Sequence, residues 1–180
     1  KQKTPIFRLH KGTEEFYVDD KGNEFPISAN YSHPCMLVVG NIPKEDYKAL
    51  AALIHKIDAD EFNKKYFIGI TKEGNNYNLL TSDGHFKVEI GDLENIDFKV
   101  KGFKTFVEKF LVYQDLEKYT KISVKYNNQI VTTLNPNLKE NDSLLNVSKK
   151  EFDKANDIKI QKTNIKIKTT TPNDEKKKSN

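Results

Sequence analysis

The stretch Phe86-Lys87-Val88-Glu89-Ile90-Gly91 leads into a second apolar run that reaches Leu111. Phe86, Val88 and Ile90 alternate with Lys87 and Glu89. That period of two predicts a strand with one face in a core and the other toward water. Gly91 ends it. Downstream, Phe103, Phe106, Val107, Phe110 and Leu111 fall at i, i+3, i+4, i+7 and i+8. This spacing predicts a one-faced helix from Glu94 to about Tyr113. Gly102 weakens that helix by roughly 1 kcal/mol relative to Ala. A half-buried strand followed by a one-faced helix predicts a sheet with a helix lying on it.

Working upstream, Tyr66 to Thr71 and Tyr77 to Thr81 are predicted strands, joined by a turn at Glu73-Gly-Asn-Asn76. Ser82-Asp83-Gly84 then turns the chain into the Phe86 strand, Asp-Gly being a strong hairpin signal. Tyr47, Leu50, Ala51, Ile54 and Ile57 form another apolar stripe, predicting a helix from about Lys44 to Ile57 after Asn41 and Pro43. Met36 to Val39, closed by Gly40, reads as a buried strand. Thr4 to Leu9 reads as a strand, as do the two short segments either side of Asp20-Lys21-Gly22.

Downstream, Ile122, Val124 and Tyr126 alternate with polar residues up to Asn127-Asn128, which are suited to a type I′ turn. A two-residue loop would pair Tyr126 with Gln129, Val124 with Val131 and Ile122 with Thr133. The expected fold class is α+β: a mostly antiparallel sheet with two amphipathic helices on one face.

Residues 1–134 carry 19 Lys+Arg and 19 Asp+Glu, whereas residues 135–180 carry 11 and 7. All the basic excess therefore sits in the tail. The neutral body lacks the basic patch of a nucleic-acid binder, so no nucleic-acid partner is expected. Asn, Lys, Ser, Asp and Thr dominate residues 135–180, which reads as a largely disordered extension. An electrostatic tether to anionic lipid or polymer is the alternative. Ile158, Ile160, Ile165 and Ile167 alternate with polar residues and suggest a strand that forms on docking. No run approaches the roughly 18 apolar residues of a membrane span. The sequence begins at Lys1 without Met, which suggests a fragment of a longer protein.

The sequence holds no convincing catalytic constellation. Cys35 is the sole cysteine, which excludes an internal disulfide and a multi-thiolate zinc site. His33 and Cys35 at i, i+2 could share a strand face, but a free structural Cys is the plainer reading. Asp19-Asp20 and Asp58-x-Asp60-Glu61 lack calcium-loop spacing and read as caps and solvated charge. HExxH, GxGxxG, GKS/GKT and GxSxG are all absent from the sequence. No catalytic, metal or cofactor residue is assigned, and no cofactor is expected.

One feature does point outward. The last predicted strand, Gln129 to Leu134, ends where the composition changes, and an edge strand is a template for another chain. Either the Ile158–Ile167 segment or the Thr4–Leu9 strand could instead fill that edge.

Read in order, several motifs resemble the FtsQ/DivIB family. Lys3-Thr-Pro-Ile-Phe-Arg8, Phe16-Tyr-Val-Asp19 and Asp20-Lys-Gly-Asn-Glu-Phe-Pro-Ile-Ser28 resemble the start of its β-domain. Met36-Leu-Val-Val-Gly40, Val88–Gly91 and Ile122–Tyr126 continue the series, and the Lys- and Asn-rich usage is most similar to Bacteroidetes versions. The resemblance covers about residues 3–134.

It implies a non-enzymatic scaffold of the divisome, acting in septum formation. The implied setting is the periplasmic domain of a single-pass inner-membrane protein, reaching the membrane only through an N-terminal helix outside this sequence. Residues 1–9 would be the remnant of the last POTRA strand and residues 10–134 the β-domain. The implied partners are FtsB-like and FtsL-like proteins, with an FtsB-like chain adding a strand to the last edge. By position, that site is Tyr126, Gln129, Ile130, Val131, Thr132, Thr133 and Leu134. Leu134 stands where some relatives have Trp, so the partner pocket is expected to differ. The competing readings are a POTRA-like envelope-biogenesis module binding outer-membrane protein strands and a small envelope hydrolase.

Overall fold

The computed structural model describes residues 3–30, 32–139, 141–142, 144–151 and 154. They fall into two compact units, Lys1–Asn135 and Pro136–Asn180.

The first unit is organised on one sheet. Its strands are β1 (Phe7–Lys11), β2 (Glu14–Val18), β3 (Glu24–Pro26), β4 (Met36–Val39), β5 (Phe67–Glu73), β6 (Asn76–Thr81), β7 (Lys87–Gly91), β8 (Tyr119–Ser123) and β9 (Val131–Leu134). Their order across the sheet is β3-β2-β1-β4-β5-β6-β7-β8-β9. Among the described residues, three α-helices accompany them: α1 (Tyr47–Asp58), α2 (Glu61–Tyr66) and α3 (Ile96–Lys109).

The α+β class matches expectation, but the sheet is mixed. β1–β4, β4–β5 and β7–β8 pair in parallel, and the other neighbours pair antiparallel. The reason lies in the connections. Strand β4 reaches β5 through α1 and α2, and β7 reaches β8 through α3, and a strand–helix–strand passage to a neighbouring strand gives a parallel pair. Strands β4 and β7 run the same way, and both crossovers step in the same direction across the sheet. A common hand for both crossovers then places α1 and α3 on the same face.

That face holds the core. Leu9, Val38, Ile70, Leu79, Val88 and Ile122 are register partners across six consecutive strands, and each is at most 1% exposed. A bulge between Phe67 and Gly69 lets both Phe67 and Ile70 face the helices. From above, α1 brings Tyr47 edge-on to Phe7 at 6.0 Å. Phe103 of α3 meets Phe67 at 5.3 Å and Tyr66 at 5.4 Å. The predicted α1 stripe is therefore the face that packs, as is Phe103 of α3, whereas α3 stops at Lys109, short of the expected end, and Phe110 beyond it is exposed.

Two local expectations change. The short helix α2 was not predicted; Asp60 caps it, accepting from the Asn63 amide at 3.0 Å. The final hairpin is also shifted by one residue. Ile122 pairs with Thr132 rather than Thr133, and Ser123 with Val131. Only Asn128 takes positive φ (61°), whereas a type I′ turn needs it at both central residues. The loop instead runs from Val124 to Ile130, and a one-residue slip exchanges the faces of every side chain on the strand.

Strand β1 lies inside the sheet between β2 and β4, so it does not fill the far edge. In the second unit, residues 139, 141–142, 144–151 and 154 are helical, a helix that the sequence pattern did not suggest. The strand expected around Ile158–Ile167 lies outside the described residues.

Candidate functional site

The candidate site is the β9 edge and the hollow beside it. β9 ends the strand order, and no described strand pairs with its outer side. The direction of its amides follows from one bond. The Asn135 amide donates to the Lys118 carbonyl at 2.7 Å, toward β8. The irregularity in this pair lies on β8, between Tyr119 and Lys121, so alternation along β9 is unbroken. The Val131 and Thr133 amides therefore also point to β8, and the Thr132 and Leu134 amides point outward. Thr132 shares its row with core residue Ile122, so Ile130, Thr132 and Leu134 face the helix side. Val131 and Thr133 face the other way and are exposed.

Next to this edge, α3 and the β8–β9 loop line an open pocket of about 200 Å³. Phe98, Lys99 and Gly102 come from α3, and Val124, Tyr126 and Ile130 from the hairpin. Phe98 is 53% exposed and Tyr126 43%, large apolar surfaces left open to solvent. Lys99 does not make the pocket cationic toward solvent, because its ammonium is buried and donates to the Asp92 carbonyl at 3.0 Å and to its carboxylate at 2.5 Å. That contact ties the start of α3 to the end of β7 and holds the Asp92 carboxyl below the usual range.

Of the residues expected at the site, Tyr126, Gln129 and Ile130 line the pocket, while Val131, Thr132, Thr133 and Leu134 form the edge itself. Phe98, Gly102 and Val124 were missed. Phe98 lies outside the α3 stripe used to predict the helix, and an apolar residue off the packing face was the one signal that could have found it. Glu89 underlies the hairpin on the helix-free side, with Lys125 at 3.3 Å and Lys121 at 3.6 Å. Burial pushes its pKa up, but the Ser123 hydroxyl and the two ammonium groups outweigh that, and the net shift is downward.

Cys35, Asp19 and Asp60 have structural surroundings. Burial pushes the Cys35 thiol up, the opposite of what a thiolate nucleophile needs. Asp19 accepts from the amides of Lys21 and Asn23 at 3.0 and 2.8 Å, closing the β2–β3 turn. Asp60 caps α2 and pairs with Lys104 at 2.6 Å. Among the described residues, no group of three or more His, Cys, Asp or Glu could hold a metal ion, and no helix is long and apolar enough to cross a membrane.

Comparison with known families matches residues 4–133 to the family described as FtsQ/DivIB, C-terminal related. The chain belongs to that family. No curated protein matches the sequence. Among solved structures, it is similar to the major extracytoplasmic domain, in its trans isomer, of the bacterial cell division protein DivIB from Geobacillus stearothermophilus. The identity is 10% and the TM-score 0.42, over 64% of this chain and 99% of that one. Membership in the FtsQ/DivIB C-terminal related family places the chain among cell-division proteins.

Proposed function

We propose that this FtsQ/DivIB-type domain is a non-enzymatic scaffold of the division machinery. It recruits FtsB-like and FtsL-like proteins during septum formation, the first by strand addition to β9. The setting is the periplasmic face of the inner membrane, with the anchor elsewhere in the parent protein.

One observation carries the reading: β9 has Thr132 and Leu134 amides directed outward, with no described strand to receive them. Free ladder groups on an edge recruit an extended chain, and adjacent pockets supply selectivity. The apolar pocket at Phe98, Tyr126 and Ile130 lies where such selectivity would act.

The test is a titration of the 180-residue chain with the extracytoplasmic part of the FtsB-like protein of the same organism. Thr132→Pro removes one outward donor, and Lys64→Ala, on exposed α2 surface, is the control. Binding that survives Lys64→Ala and is lost in Thr132→Pro is expected. Equal loss in both variants, or no loss in either, refutes strand addition at this edge.

A further inference from the structure

Gly102 sits in the interior of α3, where glycine is among the least favourable residues. Nothing within this unit explains it. A Cβ built there meets no atom within 4 Å. A glycine kept for close packing, such as Gly91, behaves differently: its Cβ would meet the Lys125 Cβ at 2.8 Å. Gly102 instead interrupts a ridge of aromatic residues, with Phe98 four residues before it and Phe106 four after. The gap in that ridge opens into the pocket beside β9.

Resting on the strand-addition reading above, we infer that Gly102 is a specificity residue: the gap it leaves admits one aromatic or large aliphatic side chain of the added strand. The occupant is an extended chain because the adjoining edge offers outward backbone donors at Thr132 and Leu134. Side chains of a strand alternate between faces, so every second residue of the incoming chain lies on the helix side beside Ile130 and Thr132. That side chain is apolar because Phe98, Val124, Tyr126 and Ile130 supply most of the lining, with Asn128 and Gln129 as its neutral polar part, and the one buried charge, Lys99, is already bound to Asp92. The size also fits. A cavity of ~150 Å³ holds benzene, and this pocket measures about 200 Å³.

The test uses the full chain and three end-blocked ten-residue peptides of alternating Thr and Val with Lys at both ends. They differ only in one central residue of the Val register: Phe, Leu or Ala. Binding is followed by NMR shifts of the β9 amides. The Phe and Leu peptides are expected to bind at least tenfold more tightly than the Ala peptide. Gly102→Leu, whose Cβ has open space and whose branch extends into the gap, should reduce that ratio below twofold. Gly102→Ala should largely keep it, and Thr132→Pro should abolish binding of all three. Equal affinities in the natural chain, or a ratio that survives Gly102→Leu, overturn the role of Gly102. In either case, binding sensitive to Thr132→Pro leaves strand addition standing. No binding of any peptide at millimolar concentration overturns both. Melting curves confirm that each variant is folded.

Discussion

The Asn135 amide donates to the Lys118 carbonyl at 2.7 Å, and this bond decides the direction of every amide on β9. It separates two kinds of position on a four-residue strand. Val131 and Thr133 hold the hairpin together, whereas Thr132 and Leu134 face outward.

Proline substitutions should divide along that line. Val131→Pro deletes an inward donor and leaves a β8 carbonyl without its partner, which costs about 1–3 kcal/mol where the group is buried. Thr132→Pro removes a donor on the edge side, where proline is tolerated. Chemical denaturation should therefore show a clear loss for Val131→Pro and little change for Thr132→Pro. The opposite ranking would mean that the alternation is out of phase.

Gly102→Ala should stabilise the protein. It exchanges a flexible residue for the best helix former, worth up to about 1 kcal/mol, and the new methyl has open space. A raised urea midpoint with unchanged slope is the expected outcome.

Phe103 is the principal contact of α3 with the sheet, 1% exposed and flanked by Tyr66 and Phe67. Phe103→Ala should cost about 3–5 kcal/mol by removing buried surface and leaving a cavity. Phe98→Ala, at an exposed position, should change stability by far less. Similar losses in the two variants would contradict the packing described for α3.

Acid should weaken the hairpin through Glu89. Its folded pKa lies below the unfolded value of about 4.3. Its contribution is thus complete above that value and is lost as pH falls through the lower folded one. The acid limb of stability against pH should be shallower in Glu89→Gln. At the other extreme, burial first and then the Asp83 charge raise Tyr66 to about 12. The stability linked to its proton is present below about 10 and disappears as pH rises toward 12. Tyr66→Phe should flatten that alkaline limb.

Much of this architecture was legible because burial writes a period into the chain. Val88 and Ile90 on β7, and Phe103 on α3, are where alternation and helical spacing put them. Periodicity reports faces, not neighbours, so it does not carry the three parallel pairings. The hairpin register was misread because Asn127 and Asn128 are equally able to take positive φ, and only Asn128 does. Helix α2 was missed because six residues with a buried Asn63 leave no apolar stripe to detect. At the candidate site, the edge was visible as the last strand before a change in composition. The pocket was not, because it depends on Phe98 and Gly102 meeting a loop more than twenty residues away in sequence.

Amide hydrogen exchange across β9, with and without the FtsB-like partner, tests strand addition most directly. The Thr132 and Leu134 amides should exchange quickly in the free chain and slow by at least tenfold on binding, with Val131 and Thr133 protected throughout. Binding that leaves Thr132 and Leu134 as fast as before would show that the partner docks elsewhere and would contradict recruitment through this edge.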